Sequence, residues 1–159
     1  MFYDLAGHLI DQIVWLLGRP TAVQAFLRND ASRDLPSFID NALGVFSFPT
    51  ALAFLDIAAM VPLPSQRRFE VYGTLGSAIL QPLEPATHLI LTLNEPSGVY
   101  ARGVTTIPLP LQSRQDLYDA EFAAFLRTIA EDMPPDRPIA HEILVQETLL
   151  RATSALPSA

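Results

Sequence analysis

The chain has 159 residues, half of them hydrophobic, with a mean hydropathy of +0.26, a formal charge of −7 and an isoelectric point near 4.7. All ten cationic residues are arginine and there is no cysteine, which excludes disulfides, thiolate chemistry, a lysine Schiff base and a lysine general base, and leaves the redox compartment open. An acidic chain without a basic cluster is a poor partner for nucleic acid or an anionic membrane. No apolar run approaches the ~18 residues of a membrane span, and the start lacks the charged and apolar regions of a signal peptide, so a cytoplasmic location is the default expectation.

The first predicted element is a helix over residues 4–18. At about 100° per residue, Asp4, His8, Asp11 and Trp15 share one stripe. Leu5, Leu9, Ile13, Leu16 and Leu17 cover the opposite side, with Ile10 and Val14 on the flank. Gly18 and then Pro20 end the helix. An imidazole one turn from a carboxylate can be held in one tautomer and made a better proton acceptor. The stripe therefore reads either as an acid–base site or as solvated surface, since His near Asp is common on exposed helices.

Residues 21–29 alternate as a strand, with Val23, Ala25 and Leu27 set against Gln24 and Arg28. Residues 30–36 form a polar loop. Two apolar runs, 41–48 and 51–60, are split by Pro49-Thr50 and read as a hairpin, followed by a loop at Pro62-Leu63-Pro64-Ser65. Residues 67–74 are a strand with Phe69 and Val71 on one side and Glu70 and Tyr72 on the other. Gly73-Thr74-Leu75-Gly76 is a turn, and strands follow over 77–83, 88–95 and 99–109, punctuated by Pro82, Pro85, Pro108 and Pro110.

Two helices finish the chain. Ser113 with Asp116 is an N-cap with an acidic third position, and Phe122, Phe125, Leu126 and Ile129 sit at helical spacing behind it. Pro134-Pro135 stop that helix. Pro138 suits the first turn of the next, which carries Val145, Leu149, Ala152 and Leu156 on one side. There is no internal repeat and no low-complexity segment.

A helix, a block of about seven strands and two helices predict a single α+β domain over 1–159. Its sheet is open-faced, mostly antiparallel, of about six to eight strands, with helices on one face. The runs 42–48 and 52–57 are apolar on both alternating faces. An antiparallel sheet facing water alternates more cleanly, so the second face is expected to meet another subunit or a missing domain.

His8-Leu-Ile-Asp11 followed by Trp15-Leu-Leu-Gly18-Arg-Pro20 and a strand resembles the carboxy-terminal domain of the glucose–fructose oxidoreductase, inositol dehydrogenase and MocA family (Gfo/Idh/MocA). Arg68-Phe-Glu-Val-Tyr-Gly73-Thr-Leu-Gly76-Ser is similar to that family's strand-turn-strand around its G-T-x-G element. Gln146-Glu-Thr-Leu-Leu-Arg-Ala-Thr-Ser154 is similar to its closing helix. The resemblance implies an open-faced sheet that binds substrate and makes dimers or tetramers through its free face. It also implies that His8 contacts the substrate hydroxyl or carbonyl and helps move its proton, that Asp4 helps place the substrate, and that Asp11 orients.

The departures are as informative. No strand, Gly-x-Gly-x-x-Gly turn and helix is present to hold a pyrophosphate. The family's catalytic lysine, carried by a Glu-Lys-Pro element of the nucleotide-binding half, has no counterpart in a chain without lysine. The chain is thus expected to be the second half of such an enzyme, whether excised, from a split gene or from a truncated one. On that expectation it binds no NAD or NADP alone and needs a separate Rossmann-domain partner to act on a sugar, polyol or similar hydroxyl compound.

Other candidate sites have plainer readings. Gly73 to Gly76 lies between strands rather than ahead of a helix, so a tight turn is favoured over a phosphate cradle. His8, His88 and His141 are far apart without the spacing of metal ligands. His88 reads as a strand start and His141-Glu142 as surface near a helix start. Ser113 lacks nucleophile-elbow glycines and is better explained as a cap. Arg67 and Arg68 are candidate substrate-binding residues for an anionic group, although neighbours on a strand face opposite ways, so at most one can point into a site. Two alternatives remain beside the half-enzyme. One is a free-standing dimerisation module without catalysis. The other is an independent acid–base enzyme using His8 and Asp4.

Overall fold

A computed structural model describes residues 2–62, 64 and 67–154. Leu63 and Ser65 of the predicted loop, and Leu156 of the predicted last helix, lie outside the described residues. The order is α1 (Phe2–Leu17), β1 (Ala22–Arg28), β2 (Asn41–Ser47), β3 (Leu52–Ala58), β4 (Phe69–Gly73), β5 (Gly76–Leu80), β6 (His88–Leu93), β7 (Gly103–Pro108), α2 (Arg114–Ala130) and α3 (Ile139–Ala152). This is an α+β fold whose strands are all paired antiparallel, in two open sheets ordered β1-β2-β3 and β4-β5-β6-β7. The last strand is shorter than the 99–109 expected from the sequence. Gly98 takes a left-handed φ of 58°, and Ser97 and Tyr100 exchange backbone hydrogen bonds in a local turn, so the ladder starts only at Gly103.

The chain divides into two compact units, residues 1–60 with 134–159, and residues 61–133. In the first unit, α1 and α3 pack against each other and on one face of the β1-β2-β3 sheet. Ala42, Phe46, Leu55 and Ile57 of the sheet meet Phe2, Ala6, Ile10, Ile13 and Val14 of α1 and Leu149 and Ala152 of α3 in one buried cluster. The buried line of α1 is turned from the expected one. Ile10 and Val14, expected on the flank, are buried, while Leu16 and Leu17 are exposed. Apolar residues occupy more than half of the helix circumference, so its sequence does not fix which line faces the sheet; docking against β3 and α3 does. Gly18, with φ of 76°, closes α1 through its N–H to the Val14 carbonyl, 2.8 Å away.

The β1–β2 connection is organised by Asp40. Its side chain is only 2% exposed and accepts hydrogen bonds from the backbone N–H groups of Asp30, Ala31 and Ser32 at 2.8, 3.0 and 2.8 Å. The Asp30 N–H, helped by those of Ala31 and Ser32, overcomes the cost of burial and holds the carboxyl down to about 2.

In the second unit the turn Gly73 to Gly76 joins β4 to β5. A Cβ on Gly76 would lie 1.9 Å from the Thr92 carbonyl oxygen, with φ at +154°, so close strand approach requires glycine there. Ser113 caps α2. Its hydroxyl accepts from the Asp116 N–H at 3.2 Å, and the Asp116 carboxylate accepts from the Ser113 N–H at 2.7 Å, a complete capping box. No described residue of this unit is buried. No helix among the described residues is long and apolar enough to cross a membrane.

Candidate functional site

The polar stripe of α1 forms as its spacing predicts, and it splits into two parts. Asp4 and His8 are exposed, and their side chains make no hydrogen bond or ion pair to a described residue. Asp11 and Trp15, further along, are met by the entry to α3. His141 Nε2 lies 2.6 Å from Asp11 Oδ1. An ionised carboxylate only accepts, so the ring donates through Nε2–H. Arg137 Nε donates to the same oxygen at 3.3 Å. The Arg137 guanidinium carbon sits 3.9 Å from the centre of the Trp15 ring, a cation–π contact, and the His141 and Trp15 rings meet edge-on at 5.4 Å and 84°. Burial pushes the Asp11 carboxyl up, but the hydrogen bonds and charges of His141 and Arg137 outweigh it and leave the carboxyl below its ordinary value. At neutral pH Asp11 is therefore an anion shared by two donors.

His141 is a correction. It reads as surface in the sequence, yet its side chain is 9% exposed. Asp11 and Trp15 are one helical turn apart on α1, but Arg137 precedes the extended Pro138 N-cap of α3 and His141 lies in its first turn, so no helical spacing in the sequence pairs Arg137 with His141. Which faces match is decided by tertiary packing. The carboxylates of Asp11 and Glu142 and the His141 ring also gather within 4.8 Å of one another. A cation there would have to displace both donors from Asp11 Oδ1, one of them a guanidinium, so the set suits an ion pair better than a metal centre.

Arg67 and Arg68 belong to the second unit and lie just before β4. Arg67 pairs with Glu84 and Arg68 with Glu70, each at 3.3 Å. His88 starts β6, with its Nδ1 2.9 Å from Thr87 Oγ1. A depression of about 320 Å3 beside the Gly73–Gly76 turn is lined mainly by apolar residues, among them Val71, Leu75, Leu91 and Leu93, together with Thr74 and Ser77, and no charged group lines it to hold a phosphate.

Residues 1–79 match the family model of the GFO/IDH/MocA C-terminal domain. No curated protein matches. Among solved structures, an oxidoreductase from Agrobacterium radiobacter in complex with NAD+, L-tartaric acid and magnesium shares 15% identity at a TM-score of 0.77, covering 100% of this chain and 48% of that one. UDP-N-acetylglucosamine 3-dehydrogenase GnnA from Acidithiobacillus ferrooxidans shares 21% at 0.71, covering 94% and 45%. A candidate oxidoreductase from Thermotoga maritima shares 21% at 0.72, covering 94% and 42%. The chain thus spans less than half the length of each of these proteins, and at these identities the likeness is one of fold.

Proposed function

We propose that this chain, which belongs on residues 1–79 to the GFO/IDH/MocA C-terminal domain family and has the fold of oxidoreductase halves along its length, acts over 1–159 as one substrate-binding and oligomerising domain of an NAD(P)-dependent oxidoreductase. The substrate class is a sugar, polyol or similar hydroxyl compound. The reading rests on one observation: Asp4 and His8 stand exposed and unengaged by described residues, on a helix whose other side is the buried centre of the first unit. A rigid helix presenting a free imidazole beside a free carboxylate is suited to accept a hydroxyl proton as substrate is oxidised and to return it in reduction. Asp4 would help place the substrate, and Asp11, held by His141 and Arg137, would fix the far end of the stripe. Arg67 and Arg68 already have carboxylate partners and take no part.

A nicotinamide dinucleotide supplies the hydride acceptor in such a reaction. The chain has no Gly-x-Gly-x-x-Gly turn between a strand and a helix to take its pyrophosphate, so the dinucleotide would be held by a Rossmann domain. The test is titration of the purified chain with D-glucitol by ligand-observed NMR and with NADH by nicotinamide fluorescence. Glucitol should bind, more weakly by about tenfold in His8→Ala, and the NADH signal should stay unchanged. NADH bound by the chain alone, or glucitol affinity indifferent to His8, would contradict the assignment.

The oligomerising role of the domain is supported by a different surface. On the β1-β2-β3 face away from the helices, Phe26 pairs with Leu43, Val45 with Phe54 and Ser47 with Leu52. Phe54 there is 67% exposed. An apolar patch of this kind suits a self-complementary interface. Light scattering should give a dimer or tetramer that Phe54→Glu with Leu52→Glu converts to monomer, leaving glucitol binding in place. A monomeric wild type would remove this part of the proposal.

A further inference from the structure

Two contacts fix the Arg137 guanidinium. Its Cζ carbon lies 3.9 Å over the centre of the Trp15 ring, and Asp11 Oδ1 takes its Nε–H at 3.3 Å. Together they restrain the side chain, lowering the entropy an arginine loses on gripping a ligand. They leave the end of the fork open. Among the described residues nothing pairs with Arg137 Nη1 or Nη2, and the side chain keeps 36% exposure. Arg19, Arg28, Arg67 and Arg151, by contrast, each give a terminal nitrogen to a carboxylate. Asp11, which also serves His141 at 2.6 Å, meets Arg137 only through Nε. A restrained guanidinium with Nη1 and Nη2 unengaged among the described residues matches two oxygens of a carboxylate or phosphate.

Its position gives this meaning. Asp11 lies one turn from His8 on the α1 stripe, so the open fork and the free imidazole share one polar strip. We propose that Arg137 is the anion anchor of the substrate site. The substrate is then a hydroxyl compound that also carries a carboxylate or phosphate, with its anion on Arg137 Nη1 and Nη2 and its reacting hydroxyl at His8. This rests on the reading of His8 given above and narrows its substrate class.

The probes are three six-carbon compounds offered to the full chain in low salt: D-glucitol, D-gluconate and D-glucitol 6-phosphate. At least one anion should bind about tenfold or more tightly than glucitol, the scale of a charge-assisted bidentate contact, and the excess should shrink as salt is raised. Which anion wins separates a carboxylate substrate from a phosphorylated one. Arg137→Gln should bring the anion-to-glucitol ratio within about twofold. Arg137→Lys keeps the charge without the fork and should lose part of the preference, so the result does not depend on one variant folding. His8→Ala should weaken all three probes alike. Glucitol binding without anion preference, or a preference intact in folded Arg137→Gln, overturns this proposal and leaves the hydroxyl-compound reading standing. Binding of none of the three overturns both.

Discussion

In the first unit Ala6, Ile10 and Phe46 are fully buried between α1 and the β1-β2-β3 sheet. In the second, β6 reads His-Leu-Ile-Leu-Thr-Leu and α2 carries Phe122, Phe125, Leu126 and Ile129, yet no described side chain there is buried. The second unit is somewhat less rich in apolar residues than the first but still carries many. They differ in layering: α1 and α3 lie together across one sheet face, whereas α2 packs extensively on no other element. Apolar content makes a core only where two layers close on it. Under the proposed function the same contrast matters for chemistry, since the exposed stripe of α1 has the buried centre of the first unit behind it.

Phe46→Ala should sharpen the contrast most. At 0% exposure, its loss should cost about 3–5 kcal/mol in urea unfolding. Leu91→Ala, in the half-covered β6, should cost about 1 kcal/mol, nearer the mean for point changes. Equal losses would break the comparison. Gly76→Ala should be the exception within the second unit, costing at least about 1–3 kcal/mol for backbone strain alone, because its Cβ would strike the Thr92 carbonyl.

The sequence made the local elements legible because each rests on short-range physics. Alternation marks β1, the Pro49-Thr50 break marks the β2–β3 hairpin, Gly18 ends α1, and Ser113 with Asp116 caps α2. What depends on distant contacts was not legible. The rotation of α1, the division of the strands between two sheets, the seat of Asp40 on three loop amides and the meeting of Arg137 and His141 with Asp11 are set by packing between remote segments. For the candidate site, the α1 stripe followed from helical spacing, the roles of Asp4 and His8 came from family resemblance, and Arg137 emerged only from the folded arrangement.

Smaller effects test the same contrast. Ser113→Ala removes half of the capping box and should cost about 1 kcal/mol, read as lost helicity in α2, which has no burial to hold it; a silent substitution would mean that packing, not the cap, sustains that helix. Asp40 should have no effect on the pH dependence near neutrality and a clear one in acid. Its folded value of about 2 lies below the unfolded value of about 3.9. Its ionised form therefore stabilises the first unit fully above about pH 4, and that contribution is lost as pH falls through 4 toward 2. Asp40→Asn should flatten this part of the acid-unfolding curve, monitored by Trp15 fluorescence. An unchanged curve would show that the loop amides do not hold the carboxylate.

Native-state amide hydrogen exchange, resolved by residue, tests most directly the claim that the first unit carries the stability of this chain and the rigid base of its site. The amides of α1, β2 and β3 should exchange only with global unfolding, while those of α2 and the edge strands β4 and β7 should open by local fluctuations orders of magnitude more often. If α2 amides are protected as strongly as those of α1, the division is wrong, and with it the argument that burial behind α1 is what makes its polar stripe a site.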